Sequence, residues 1–112
     1  MAQGSTPLLT LSVLATTALT QARAVTGLGA LPAAAARCLG IARTNAAISE
    51  RVSVDVDGTS IAESGAAIAV DAALELDASG RVITKSAGVT IGRALSASTG
   101  VGQMIEILLI AN

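Results

Sequence analysis

Val52-Ser53-Val54-Asp55-Val56-Asp57-Gly58 is the most legible stretch of the chain. Valines alternate with Ser53, Asp55 and Asp57 at a period of two, the side-chain period of an extended strand and not the 3.6-residue period of a helix. The pattern predicts a half-exposed strand with Val52, Val54 and Val56 turned inward. Asp55 and Asp57 lie on its solvated face, and Gly58 makes a turn.

On its C-terminal side, short apolar runs occupy residues 67–70, 73–76, 81–84 and 89–95. Turn signals at Glu63-Ser64-Gly65, Asp77-Ala78-Ser79-Gly80 and Gly88 separate them. The last strand, residues 103–110, is apolar on both faces: Ile105, Ile107 and Leu109 on one, Met104, Leu108 and Ile110 on the other, with Glu106 the sole interruption. A strand of that kind is either central in its sheet or covered by a partner, because on an open edge it would template aggregation.

On the N-terminal side, residues 8–15 read as a strand with Leu9, Leu11 and Val13 on one face and Thr10 and Ser12 on the other. Residues 19–25, carrying Arg23, read as a second strand, and 26–32 as a turn-rich connection. Pro32 at N1 and Gly40 as a stop would suit a short helix from Ala33, but a helix of about eight residues is marginal without tertiary support. A loop followed by a strand over 37–43 is the alternative. Short strands at this spacing predict an all-β fold, a small β-sandwich or barrel of short antiparallel strands with an extended N-terminal arm. The arm is assigned to residues 1–18 and the β-domain to 19–112, with Leu9, Leu11 and Val13 as an intersubunit element.

The composition points toward assembly. Hydrophobic residues make up 52% of 112 and charged residues 13%, so the chain folds, yet it has no Phe, Tyr or Trp. One aromatic buries about 150–250 Å², and at roughly 25 cal/mol per Å² a core of Ala, Val, Leu and Ile gains less per residue. Burial against further copies or a lattice would add to stability. The net charge of -1 offers no basic footprint for nucleic acid. Residues 1–22 lack a basic n-region and are broken by Gln, Ser and Thr, so neither a signal peptide nor a membrane span is expected. The single cysteine, Cys38, is expected as a small buried hydrophobe.

Catalytic constellations are scarce. With no histidine, His-based acid–base catalysis, Ser-His-Asp triads, Cys-His dyads and His metal sites are excluded. Asp55-Val56-Asp57-Gly58 is too short of ligands for an EF-hand loop, since the twelfth position counted from Asp55 is Ala66 and not Glu. Gly27-Leu28-Gly29 is a fragment of a dinucleotide fingerprint, but Pro32 stands at the third glycine. A biotinyl or lipoyl carrier domain would present a lysine at a hairpin tip; Lys85, the only lysine, sits in Thr84-Lys85-Ser86 without the Met-Lys-Met or Asp-Lys-Ala context. No catalytic, cofactor or metal residue is assigned.

Taken together, several short segments resemble the phage capsid cement family of about 110 residues. They are Gln21 to Thr26, Leu39-Gly40-Ile41-Ala42-Arg43, Val54 to Thr59, Glu63-Ser64-Gly65-Ala66-Ala67-Ile68, Leu76-Asp77-Ala78-Ser79-Gly80-Arg81, Ile91-Gly92-Arg93-Ala94-Leu95 and the closing pattern from Gly102 to Leu109. Two positions depart from it. Ser49 stands where the resemblance leads one to expect a glycine before the Glu-x-Val strand, and Val70-Asp71 stands in place of Ala-Gly. The resemblance implies a non-enzymatic head decoration protein, a virion component on the outer surface of the capsid. Its implied partners are an HK97-type major capsid protein and itself, as a trimer or alternatively a dimer, and Leu9, Leu11 and Val13 then become candidates for capsid contact as well. A β-rich oligomerisation module of a tail fibre or adhesin is the alternative reading.

Overall fold

The structure, a computed structural model, describes residues 5–112. Met1 to Gly4, part of the arm expected over 1–18, lie outside the described residues. The chain is all-β, with no helix among the described residues. Its strands are β1 (Pro7–Leu14), β2 (Ala24–Val25), β3 (Gly40–Ala42), β4 (Arg51–Glu63), β5 (Ala73–Leu76), β6 (Val82–Thr84), β7 (Gly92–Ala94) and β8 (Met104–Leu109). Every strand pair is antiparallel, in the order β2-β3-β4-β8-β7-β5-β6, with β1 added along β4.

β4 organises the molecule. Its first half pairs with β1 and β3, and its second half, Thr59 to Glu63, pairs with β8. From there the sheet curls through β7 and β5 to β6, where Ser64 meets Val82 in a parallel bridge and Gly65 N donates to Val82 O at 2.8 Å. The two halves of β4 thus serve two apolar clusters. Val52 and Val54 pack with Ala15, Leu19, Val25, Ala42 and Ala46. Inside the curl, Leu74, Leu76, Ile91, Ile105 and Ile107 are fully buried and pack with Ile41, Ala62, Val82 and Leu109. Each such Leu or Ile contributes about 1.5–3 kcal/mol.

Cys38 is buried beside the larger cluster, and burial pushes its thiol up to about 11, so it is held as an inert thiol. β8 is central, between β4 and β7. Ile105, Ile107 and Leu109 point inward, while Met104, Leu108 and Ile110 remain exposed on the outer face.

Several sequence expectations are corrected. Gly58 does not end the strand; β4 continues to Glu63, and Gly58 takes a φ of +89° where a Cβ would come within 2.4 Å of Thr6 O. The glycine is there to let β1 approach a bending strand. Asp55 is not solvated but 2% exposed, because Thr10 from β1, Arg43 after β3 and Ser60 from the second half of β4 close over its carboxylate. Asp57 is exposed. Over 19–25 only Ala24–Val25 is strand, Leu19 making a single bridge to Ala46, and over 67–70 only Ile68 bridges, to Ser98. The short helix after Pro32 does not form: Ala35 adopts a φ of 62° and donates its N–H to Leu76 O, so tertiary pairing replaces a helical turn.

Both positions lacking the expected glycine are left-handed: Ser49 has φ 70° and Asp71 φ 72°. That conformation costs an L-residue roughly 1–2 kcal/mol, less for a short polar side chain such as Asp. Ser49→Gly is therefore expected to stabilise the protein by about 0.5–1 kcal/mol, raising the thermal midpoint by a few degrees. Unchanged melting of Ser49→Gly would mean that the turn carries no such strain.

Candidate docking surface

Several of the segments that carry the resemblance hold charged groups in fixed, half-buried positions. Arg23 binds both oxygens of Glu63, Nε to Oε1 at 3.2 Å and Nη2 to Oε2 at 3.3 Å. Arg81 Nε binds Asp77 Oδ2 at 3.1 Å and its Nη1 lies 4.0 Å from Glu63 Oε2. The network ties the loop before β2, the end of β4 and the β5–β6 hairpin together.

Asp55 forms a second node. Its Oδ1 accepts Thr10 Oγ1 at 3.2 Å and Arg43 Nη1 at 3.1 Å, and its Oδ2 accepts Ser60 Oγ at 2.8 Å. One carboxylate thereby links β1, the residue after β3 and both halves of β4. Glu75 accepts the N–H groups of Ser86 and Gly88, first of all Ser86, which holds its carboxyl below the usual range and fixes the 85–88 loop. Ser64 and Ser98 share a hydroxyl contact of 2.8 Å and bind Gly100 O. The buried side-chain polar atoms among the described residues are satisfied within the chain.

Apolar side chains are left open along β1, as on the outer face of β8. Leu9 and Leu11 are exposed, Leu11 at 40%, and Val13 is half-buried against the cluster around Val52 and Val54. The register sets Leu11 beside Val54 and Val13 beside Val52, on the same face of the ladder. Leu9 is opposite Asp57, with register shifts on either side of it.

Sequence reasoning missed further exposed apolar residues around β1. Leu8 and Leu14 are exposed, and two loops bring further leucine and isoleucine to the end of the strand. Thr16 N donates to Gly29 O at 2.9 Å and Ser49 N to Ala15 O at 2.9 Å, so the loops that carry Leu28, 81% exposed, and Ile48 are held at the end of β1. Both sit in loops without periodicity, and only their size in otherwise polar surroundings signalled them. Large apolar side chains left exposed along β1 and in the loops at its end suit an interaction surface.

A family model for phage cement proteins matches residues 3–109. The chain belongs to the phage cement protein family. It is thus a structural protein of a phage virion. The fold of this family member is also that of a solved structure described as the head fiber gp8.5 N base of bacteriophage phi29. The TM-score is 0.76 at 13% identity, covering 91% of this chain and 93% of that one. No curated protein sequence matches the chain.

Proposed function

We propose that the protein is a non-enzymatic cement subunit that binds the outer surface of an icosahedral head, on a lattice of HK97-type major capsid protein, and stabilises the shell. The observation that carries this reading is the open apolar surface of β1 in a member of the cement family. The buried side-chain polar atoms among the described residues are satisfied internally, and the exposed leucines of β1 gain by being covered. Leu9, Leu11 and Val13 lie on that strand and serve contact with neighbouring subunits or the shell. The subunit acts as a homo-oligomer, for which the family likeness favours a trimer and a dimer is the alternative. Individual contacts can be weak, because each subunit that bridges two shell proteins raises the effective concentration of the next contact.

Heads assembled without the protein are expected to lose DNA at lower temperature than decorated heads, and added protein restores the difference. Undecorated heads of equal durability, or added protein that fails to bind expanded shells, would overturn the reading and favour a fibre-base module. Leu11→Asp puts a charge into the apolar surface. It is expected to abolish binding to heads while lowering the thermal midpoint by only a few degrees, since Leu11 is already 40% exposed. Head binding by Leu11→Asp equal to that of the unaltered protein would place the contact elsewhere.

A further inference from the structure

The face of the sheet turned away from the larger cluster is open across β4, β8 and β7. Register places its residues: Thr59, Leu108 and Arg93 lie in one row across the three strands, and Glu63 sits opposite Met104. Between these rows Ile61 sits opposite Glu106, and from the other side Leu95 N donates to Glu106 O at 2.8 Å. Ala94, Ile105 and Ile107 are fully buried on the inner face, so alternation turns Leu95, Met104, Glu106 and Leu108 outward. Met104 and Leu108 are exposed, and Ile61, Leu95 and Glu106 are half-buried.

Glu106 is unlike the other carboxylates of the chain. There are eight Asp and Glu residues. Glu50, Asp57 and Glu75 accept backbone N–H groups, and Asp55, Glu63, Asp71 and Asp77 pair with arginines. Among the described residues Glu106 alone has neither: its N–H donates to Ser96 Oγ at 3.0 Å, and its carboxylate meets no donor. The charged residues diagonal to it are engaged elsewhere, Arg93 with Asp71 at 3.5 Å and Glu63 with Arg23 at 3.2 Å. Its neighbours by register and alternation are Ile61, Leu95, Met104 and Leu108, so an unpaired carboxylate stands within an apolar ring.

Water solvates that carboxylate while the face is open. A partner that brought only apolar side chains would strip the water from an unpaired charge, which opposes the gain from burying Met104 and Leu108. A second copy docked on this face about a two-fold axis would set Glu106 toward Glu106, and like charges repel. The surface that fits carries a cation opposite Glu106, set among apolar side chains. Arginine suits it best, because its guanidinium binds both carboxylate oxygens and is weakly hydrated.

We infer that the outer face of β8 is a contact with the shell, and that the shell protein brings an arginine or lysine to Glu106 with apolar residues around it. β1 runs along the first half of β4 and β8 along the second. A subunit that meets one neighbour along β1 and another through β8 bridges the two, as a cement subunit must. This contact deepens the proposed function, naming the chemistry of its partner, and rests on that reading.

Titration of purified protein onto expanded heads assembled without it, read by co-sedimentation, tests the contact. Glu106→Gln is expected to weaken binding roughly tenfold or more, and Glu106→Lys, which sets like charges together, to abolish it. Neither should move the thermal midpoint by more than a few degrees, because the carboxylate holds nothing within the chain. A photo-cross-linking residue in place of the exposed Met104 is expected to join the protein to the shell protein. Heads that bind Glu106→Lys as well as the unaltered protein would overturn the contact and leave the cement reading standing, whereas heads that fail to bind the unaltered protein would sink both. A cross-link from position 104 to a second copy of the chain in place of the shell protein would overturn the contact as well.

Discussion

Gly40→Ala is expected to lower the thermal midpoint by roughly 10–20 °C. A Cβ built on Gly40 would stand 1.9 Å from Asp55 O and 2.8 Å from Asp55 C, both backbone atoms of the neighbouring strand. Neither can swing aside as a side chain end would. β3 must move off β4, which breaks the Ile41·Asp55 register and loosens Ile41, a fully buried member of the larger cluster. Overpacking a core costs about 1–3 kcal/mol and occasionally more; a backbone clash belongs at the upper end. Against a total stability of about 5–15 kcal/mol, that loss shifts the midpoint by about 4–8 °C per kcal/mol in a domain near this size. A melt of Gly40→Ala within a few degrees of the unaltered protein would show that β3 is not seated as described.

Asp55→Ala is expected to be nearly as damaging, at about 2–3 kcal/mol, and to do its harm differently. It leaves Ser60 Oγ, whose residue is 2% exposed, without its 2.8 Å acceptor, and it releases Thr10 and Arg43. Arg43 is partly exposed and can return to water, which keeps the cost below that of an isolated buried charge. Because Thr10 is the tie to β1, hydrogen exchange should speed up along Leu8 to Leu14 more than along β8. Uniform acceleration across the chain, or none at β1, would contradict that role for the carboxylate.

The contrast between Asp55 and Asp57 shows how far the sequence could be read. Alternation identified the strand and turned Val52 and Val54 inward, as observed. A period of two reports which residues share a face, not whether a neighbouring strand covers that face. The burial of Asp55 depends on β1 and β3 arriving from residues far away in the chain. Gly58 misled for a related reason: Asp-Gly is a strong turn signal, yet here the positive φ serves a bend in a strand that continues.

Ala73–Leu76 and the terminal strand were legible because apolar runs bounded by turns need no long-range information. Residues 33–36 were not, since the backbone partner of Ala35 is Leu76, some forty residues on. At the surface, Leu9, Leu11 and Val13 could be named from periodicity. Leu28 and Ile48 could not, because the position of their loops at the end of β1 is set by loop hydrogen bonds.

The continuity of β4 through both halves of the molecule has a mechanical consequence. If β1 is the part gripped from outside, a pull along its axis loads the β1–β4 ladder in shear, and its hydrogen bonds share the force and must fail together. Pulling across the strand would unzip them one at a time. A load taken up by Arg51 to Gly58 passes directly into Thr59 to Glu63, and so into β8 and the curled sheet, with no loop between to yield. A swelling shell held this way would meet a stiff tie rather than a hinge.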